Sequence, residues 1–140
     1  MDNKYWGKIL RVDLSNKTIR KEEISEEFCK KYLGGVGFGA YILLKEVGKE
    51  IGALDPKNIL IFAVGPFQAT KITGSGKWVV VSKSPLTGIL GFSAAGGDWG
   101  VNLKRAGYEG LIIQGSATKP VYLWINDGQV RIKSASQIWG

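Results

Sequence analysis

The residues best placed to do chemistry in this chain lie in Ser93-Ala94-Ala95-Gly96-Gly97-Asp98-Trp99-Gly100. The chemistry they suit is anion binding. Small side chains leave a strand pattern and open a helix pattern, so the backbone can approach a ligand closely. The first helical amides then point outward at the positive end of the helix dipole. Lys77 sits beside Gly74 and Gly76, and Lys83 sits in Ser82-Lys83-Ser84-Pro85. Either lysine could bring positive charge to the same group. The same glycines would also serve tight strand–helix packing, and each lysine would also serve as a solvated surface charge. No Gly-Lys-Ser/Thr follows, so this is not a Walker loop. Gly34-Gly35-Val36-Gly37-Phe38-Gly39 has a slight likeness to a dinucleotide fingerprint, but it follows a helix pattern instead of a strand, and that reading is rejected.

Composition narrows the chemistry further. The chain of 140 residues has no histidine and one cysteine, Cys29. An internal disulfide, Cys/His zinc sites and Ser-His-Asp or Cys-His catalysis are excluded. Cys29 falls in a helical pattern and reads as a small hydrophobe. Glu22-Glu23 and Glu26-Glu27 read as solvated faces and capping charge, so no carboxylate constellation stands out. The formal net charge is +7, and between Pro56 and Arg105 six basic residues face only Asp98. That imbalance points to an anionic partner without saying which. The five tryptophans are interleaved with basic residues, yet Trp6, Trp78 and Trp124 lie in strand patterns and are expected in or near the core. No apolar run is long enough to span a bilayer and Met1 to Lys8 holds no signal peptide, so the expectation is a cytoplasmic protein.

The elements that must position these residues follow from the pattern. Trp6 to Leu14 alternates apolar and polar, Ser15-Asn16-Lys17 is a turn, and Thr18 to Ile24 continues as the second strand of a hairpin. Ser25 caps a short helix that begins with Glu26 and Glu27 and stops at Gly34-Gly35. A second helix is predicted from Phe38 to Val47. Strands are predicted over Ile59 to Val64, Trp78 to Ser82 and Ile89 to Ser93, and a helix over Asp98 to Arg105, stopped at Gly107. Leu111 to Gln114 is a strand. Val121 to Asn126 and Gln129 to Lys133 form a hairpin through Asp127-Gly128. The fold class is α+β, rich in β-sheet, with few short helices. Ala135 to Trp139 reads as the approach to a helix interrupted at Gly140, which marks residues 1–140 as one domain truncated at its C-terminal end.

These residues resemble a known family. Tyr5 to Ser15 resembles the opening strand of the tungsten-containing aldehyde ferredoxin oxidoreductases, and Tyr32 to Gly37 their "LGGRG" connection. Asn58 to Pro66 resembles the family's "NxLIxAxGPLTGT" segment. Ser82-Lys83-Ser84-Pro85-Leu86-Thr87-Gly88 is the most specific match, followed by Ala95-Gly96-Gly97, Gly100 and Leu103 to Gly110. The resemblance implies a β-sheet N-terminal domain lying beneath a tungstopterin, that is, tungsten (in some members molybdenum) held between two pyranopterin dithiolenes. It implies a magnesium ion bridging the pterin phosphates, bound partly by a backbone carbonyl that falls at Ala94. The cofactor-binding residues it implies are Lys77, Ala94, Ala95, Gly96 and Gly97. A 4Fe–4S cluster, ligated outside this segment, would pass electrons to ferredoxin after oxidation of an aldehyde to a carboxylic acid. The remaining partners would be later domains of the same protein. A homodimer is compatible with the resemblance, whereas nucleic acid and membrane are not implied. The domain alone is expected to be inert. A related tungsten subunit of the benzoyl-CoA reductase type, or a non-catalytic polyanion-binding module, are the alternatives. The chain departs from the family pattern in four places. Lys77 stands where Arg is frequent, Ala94-Ala95-Gly96-Gly97 replaces Asn-Ser-Gly-Gly, Gly65 to Thr70 reads GPFQAT against "GPLTGT", and Val36 replaces the Arg of "LGGRG".

Overall fold

A computed structural model describes residues 7–140. The expected strand residues Tyr5 and Trp6 lie outside that range. A six-stranded sheet forms the middle layer, in the order β2-β1-β6-β3-β4-β5. Its strands are β1 (Lys8–Asp13), β2 (Thr18–Glu23), β3 (Ile59–Ala63), β4 (Trp78–Lys83), β5 (Leu90–Ala95) and β6 (Gly110–Gln114). Only β1 and β6 run parallel; the other neighbours are antiparallel. The helices are α1 (Glu26–Tyr32), α2 (Gly35–Glu46) and α3 (Asp98–Arg105), and β7 (Val121–Asn126) pairs with β8 (Gln129–Ser134) as a separate hairpin. The α+β, sheet-rich class with few short helices is the one observed. Among the described residues no helix is long and apolar enough to cross a membrane.

Both faces of the sheet are covered, which explains why its central strands are apolar on both sides. Ile9, Ile59, Ile61, Val81 and Ile112 turn toward Ile42 and Leu43 of α2. Leu10, Val12 and Leu111 turn the other way, toward Leu103 of α3 and the inner side chains Leu123, Ile125, Val130 and Ile132 of the β7–β8 hairpin. Arg11 is a charged, half-buried residue in the middle of β1. Its guanidinium forks onto Glu46 at 2.9 and 2.8 Å, and its Nε donates to Glu22 at 2.7 Å. Glu46 occupies the last turn of α2, where a carboxylate opposes the helix dipole, and Arg11 offsets that charge while tying helix to sheet.

Several local readings hold. The Ser25 side chain accepts from the Phe28 N–H as the α1 cap. Asp127 and Gly128 both have positive φ, as a two-residue hairpin turn requires. α3 spans the predicted residues. Ala135 to Trp139 forms a turn, closed by Ile138 N–H to the Ala135 carbonyl at 2.9 Å, and not a helix.

Two boundaries differ. α2 begins at Gly35, three residues before the predicted start, so Gly35 and Gly37 join Gly39 inside the helix. Packing accounts for it: a Cβ at Gly39 would overlap the Val81 side chain, and one at Gly37 would overlap the Tyr32 carbonyl. Close approach to the sheet and to α1 outweighs the weak helix propensity of glycine. β5 runs to Ala95, so Ala94 and Ala95 are strand residues and not part of a turn. Their pairing with Val79 and Trp78 of β4 extends the strand through small residues.

Gly39→Ala is expected to lower stability by about 1–3 kcal/mol through overpacking. Val81→Ala in the same background should recover part of that loss, because the new methyl takes the vacated space. Urea midpoints of the two single variants and the double variant check this. Simple additivity of the two losses would show that the contact does not limit the helix.

Candidate anion and cofactor site

The strand order brings the predicted site residues to one end of the sheet. β4 starts where its antiparallel neighbours β3 and β5 finish, so Lys77 stands beside the Ala95-Gly96-Gly97 exit. Continuing the register from Trp78–Ala95 sets Lys77 across from Gly96. A Cβ placed on Gly76 would lie 3.8 Å from the Gly97 carbonyl, which confirms the closeness of the two segments. Lys77, Ala94, Ala95, Gly96 and Gly97 are therefore grouped, and all five are exposed.

What this group presents is main chain. At Gly65, Gly74, Gly96 and Gly97 an added Cβ would meet nothing within 4 Å, so bare backbone faces open space. α3 starts here from Gly97, which has φ +85° and provides no side-chain cap, so the amides of the first turn keep their outward donor capacity. α2 starts at the same end. Its capping residue Gly34 packs so tightly on Val64 that a Cβ would collide with the Val64 carbonyl. The Gly35 N–H donates to that carbonyl at 3.0 Å.

The ladder also fixes which way the Ala94 carbonyl points. Ser84 N–H donates to the Ile89 carbonyl at 2.8 Å. Antiparallel pairs alternate between bonded and non-bonded positions. Counting along the register, Gly91, Ser93 and Ala95 bond to β4, while the N–H and C=O of Phe92 and Ala94 point out of the free edge of β5. A carbonyl there can take a hard cation. Among the described residues no group of three acidic, Cys or His side chains could hold a metal, so any cation here depends on main-chain and ligand oxygens.

One face of the site is braced by aromatic rings. The Trp78 Nε1–H donates to the Gly96 carbonyl at 3.1 Å. Trp78 and Trp99 lie 4.5 Å apart between ring centroids, and Phe62 lies 5.2 Å from Trp99. Trp78 thus holds the turn as well as filling the core, a role its strand pattern did not disclose.

The positive charge divides into used and available parts. Lys83, the other lysine that could reach an anion, is engaged inside the fold. Its Nζ donates to the carbonyls of Lys49 at 2.9 Å and Ile51 at 2.6 Å, tethering the loop after α2. Lys104 is buried and meets both Glu109 oxygens at 2.6 Å. Lys71 and Lys77 stay exposed, with no ion pair among the described residues, and Asp98 is the carboxylate nearest the helix start. Cys29 is fully buried; burial, then the negative charge of Glu109, pushes its thiol up to about 11, so it is neither a nucleophile nor a metal ligand in this state.

A family model, "Aldehyde ferredoxin oxidoreductase, N-terminal domain", matches residues 9–140. The chain belongs to that family. It is 50% identical over 136 residues to a tungsten-containing aldehyde ferredoxin oxidoreductase of Pyrococcus horikoshii, covering 97% of this chain and 22% of that protein. It is 42% identical over 140 residues to the WOR-like subunit of an aliphatic sulfonate oxidoreductase of Pyrococcus furiosus, covering 97% of this chain and 22% of that subunit. Among solved structures it superposes, with a TM-score of 0.96 and 38% identity, on a chain of the active-site complex BamBC of benzoyl coenzyme A reductase with 1,5-dienoyl-CoA. That match covers 100% of this chain and 21% of the other. The chain therefore spans about a fifth of the length of the relatives it matches.

Set against the family's "GPLTGT", this chain has Gln68 for the Thr and Ala69 for the second Gly. Ala69 adopts φ +61°, a region glycine enters without strain. Ala69→Gly should raise stability by about 0.5 kcal/mol, the relief of left-handed strain exceeding the added freedom of the unfolded chain. Thermal unfolding reads the difference, and a loss of stability would show that the φ value is not strained in solution.

Proposed function

We propose that this domain is the floor on which a tungstopterin rests in an aldehyde-oxidising enzyme. The observation that carries the reading is the bare main chain at one sheet end, where an outward Ala94 carbonyl, the Gly96-Gly97 turn, the α3 start and Lys77 converge. A pterin phosphate fits the helix-start amides and Lys77. A magnesium ion fits the Ala94 carbonyl with phosphate oxygens completing its shell. Gly96 and Gly97 leave room for the ligand to approach. Held there, the tungsten or molybdenum pyranopterin supplies the redox chemistry, and the chain's own contribution is binding and orientation. In the full-length enzyme the aldehyde and water yield a carboxylic acid, two protons and two electrons. A 4Fe–4S cluster would carry the electrons to ferredoxin. Such a cluster generally takes four thiolates, and this chain has one cysteine, which is buried, so the ligands belong to the later domains. The assignment extends to a cytoplasmic protein.

A second reading is a tungsten subunit of the benzoyl-CoA reductase type, which the structural superposition supports in part. Both readings require the same floor. The polyanion-binding alternative is weakened because Lys83 and Lys104 are engaged inside the fold.

Gly96→Val separates the floor from the fold, since its Cβ would meet nothing within 4 Å and its φ is unremarkable. In the full-length enzyme it should abolish cofactor loading while leaving the fold intact. Ala94→Ser keeps the carbonyl and should barely alter loading, and Lys77→Ala should weaken it modestly, as an exposed charge does. Tungsten and magnesium analysis of the purified variants, beside circular dichroism, decides. Full tungsten in Gly96→Val together with loss in Ala94→Ser would contradict the main-chain mechanism.

A further inference from the structure

We propose that Gln68 is an additional positioning residue of this site, its side-chain amide donating to a phosphate-class oxyanion seated on the first turn of α3. The proposal rests on the sheet end being an oxyanion site.

Gln68 is 2% exposed. Its Nε2 is the buried side-chain atom that has no hydrogen-bond partner among the described residues. Buried polar groups are nearly always paired, and an orphan in a native fold calls for a reason. The location supplies one. An added Cβ on Gly100 would lie 2.6 Å from that Nε2 and 2.8 Å from Trp78 Cβ, so the donor is pressed against the first turn of α3, beside the indole that holds the Gly96 carbonyl. α3 is eight residues long and its start has no side-chain cap. An uncapped helix start and an unpaired amide donor thus belong to the same first turn of α3, and both want an acceptor.

The surrounding loop points the same way. Gln68 is held by its own N–H donating to the Gly65 carbonyl at 3.2 Å. The next residue, Ala69, sits at φ +61°, so the turn that delivers Gln68 beneath α3 is built at some strain. Strain and unpaired polarity in neighbouring residues are features that binding sites retain. A Thr at this position, as in the family pattern, would reach less far. The Thr hydroxyl is also a donor, so what the longer amide adds in this chain is reach.

The test uses the purified protein with inorganic pyrophosphate and phosphate as probes, titrated by calorimetry at constant ionic strength, with chloride as the reference. Gln68→Met keeps the length of the side chain and removes the donor. Gln68→Glu keeps its shape and exchanges the donor for a negative charge. Wild type should bind pyrophosphate. Gln68→Met should unfold at an equal or higher temperature without anion, since an unpaired buried donor has gone, yet bind the anion about tenfold more weakly, as the loss of a hydrogen bond to a charged group dictates. Gln68→Glu should lose more. Wild-type affinity in Gln68→Met would overturn the proposal while leaving the oxyanion site standing. A lowered unfolding temperature in Gln68→Met would overturn its premise by showing that Nε2 is paired inside the fold. No anion binding by wild type, with chloride and pyrophosphate alike, would overturn the site and the proposal together.

Discussion

The buried ion pair between Lys104 and Glu109 is the contact on which the arrangement of this domain depends. Both side chains are almost fully buried, and the ammonium meets both carboxylate oxygens at 2.6 Å. The main chain of Glu109 joins two strands at the same time. Its N–H donates to the Lys8 carbonyl at 2.8 Å, and its carbonyl accepts from Val64 N–H at 3.0 Å. One residue therefore stitches β1 to β3 just before β6 begins and anchors the last turn of α3. Desolvating two charges is expensive, and a nonpolar pair of equal volume could match it in stability. What the charged pair adds is direction: α3 leaves the sheet in one orientation. Its first turn consequently lies over Trp78 and beside Gly96, where the Trp78–Trp99 contact and the indole hydrogen bond complete the brace.

Much of the fold could be read from the chain alone, for local reasons. Ser25 followed by Glu26 and Glu27 announces a capped helix, Asp127-Gly128 announces a hairpin, and Asp98 to Arg105 carries helical signals at both ends. The misread parts depend on contacts distant in sequence. Nothing local reveals that the helix extends back through Gly35 and Gly37, because the reason at Gly37 is its close approach to the Tyr32 carbonyl of α1. Nothing local separates Lys77, which stays exposed, from Lys83, which is spent on the Lys49 and Ile51 carbonyls. Ala94 and Ala95 fall outside the strand predicted over Ile89 to Ser93; the partner strand extends it through them. The parallel pairing of β1 with β6, which joins the β1–β2 hairpin to the rest of the sheet, has no sequence signal at all.

The candidate site was visible as glycines and invisible as side chains, and that contrast is itself informative. A domain whose task is to hold a large anionic cofactor needs amides, carbonyls and clearance more than acids or nucleophiles. Relatives named for aldehydes and for aliphatic sulfonates match 97% of this chain in sequence, and a chain from benzoyl coenzyme A reductase superposes on all of it. A floor made of backbone, as proposed, would tolerate side-chain change such as Ala94 for Asn, which would suit a fold that serves several reactions.

The most direct measurement of the central claim is a crystal structure of the cofactor-loaded, full-length enzyme with the metals located by anomalous scattering. Main-chain recognition predicts a phosphate group on the amides at the start of α3 and a magnesium ion bound by the Ala94 carbonyl, with Lys77 facing the same phosphate. A cofactor seated away from the Gly96-Gly97 turn, with the outer edge of β5 bonded instead to protein, would contradict it.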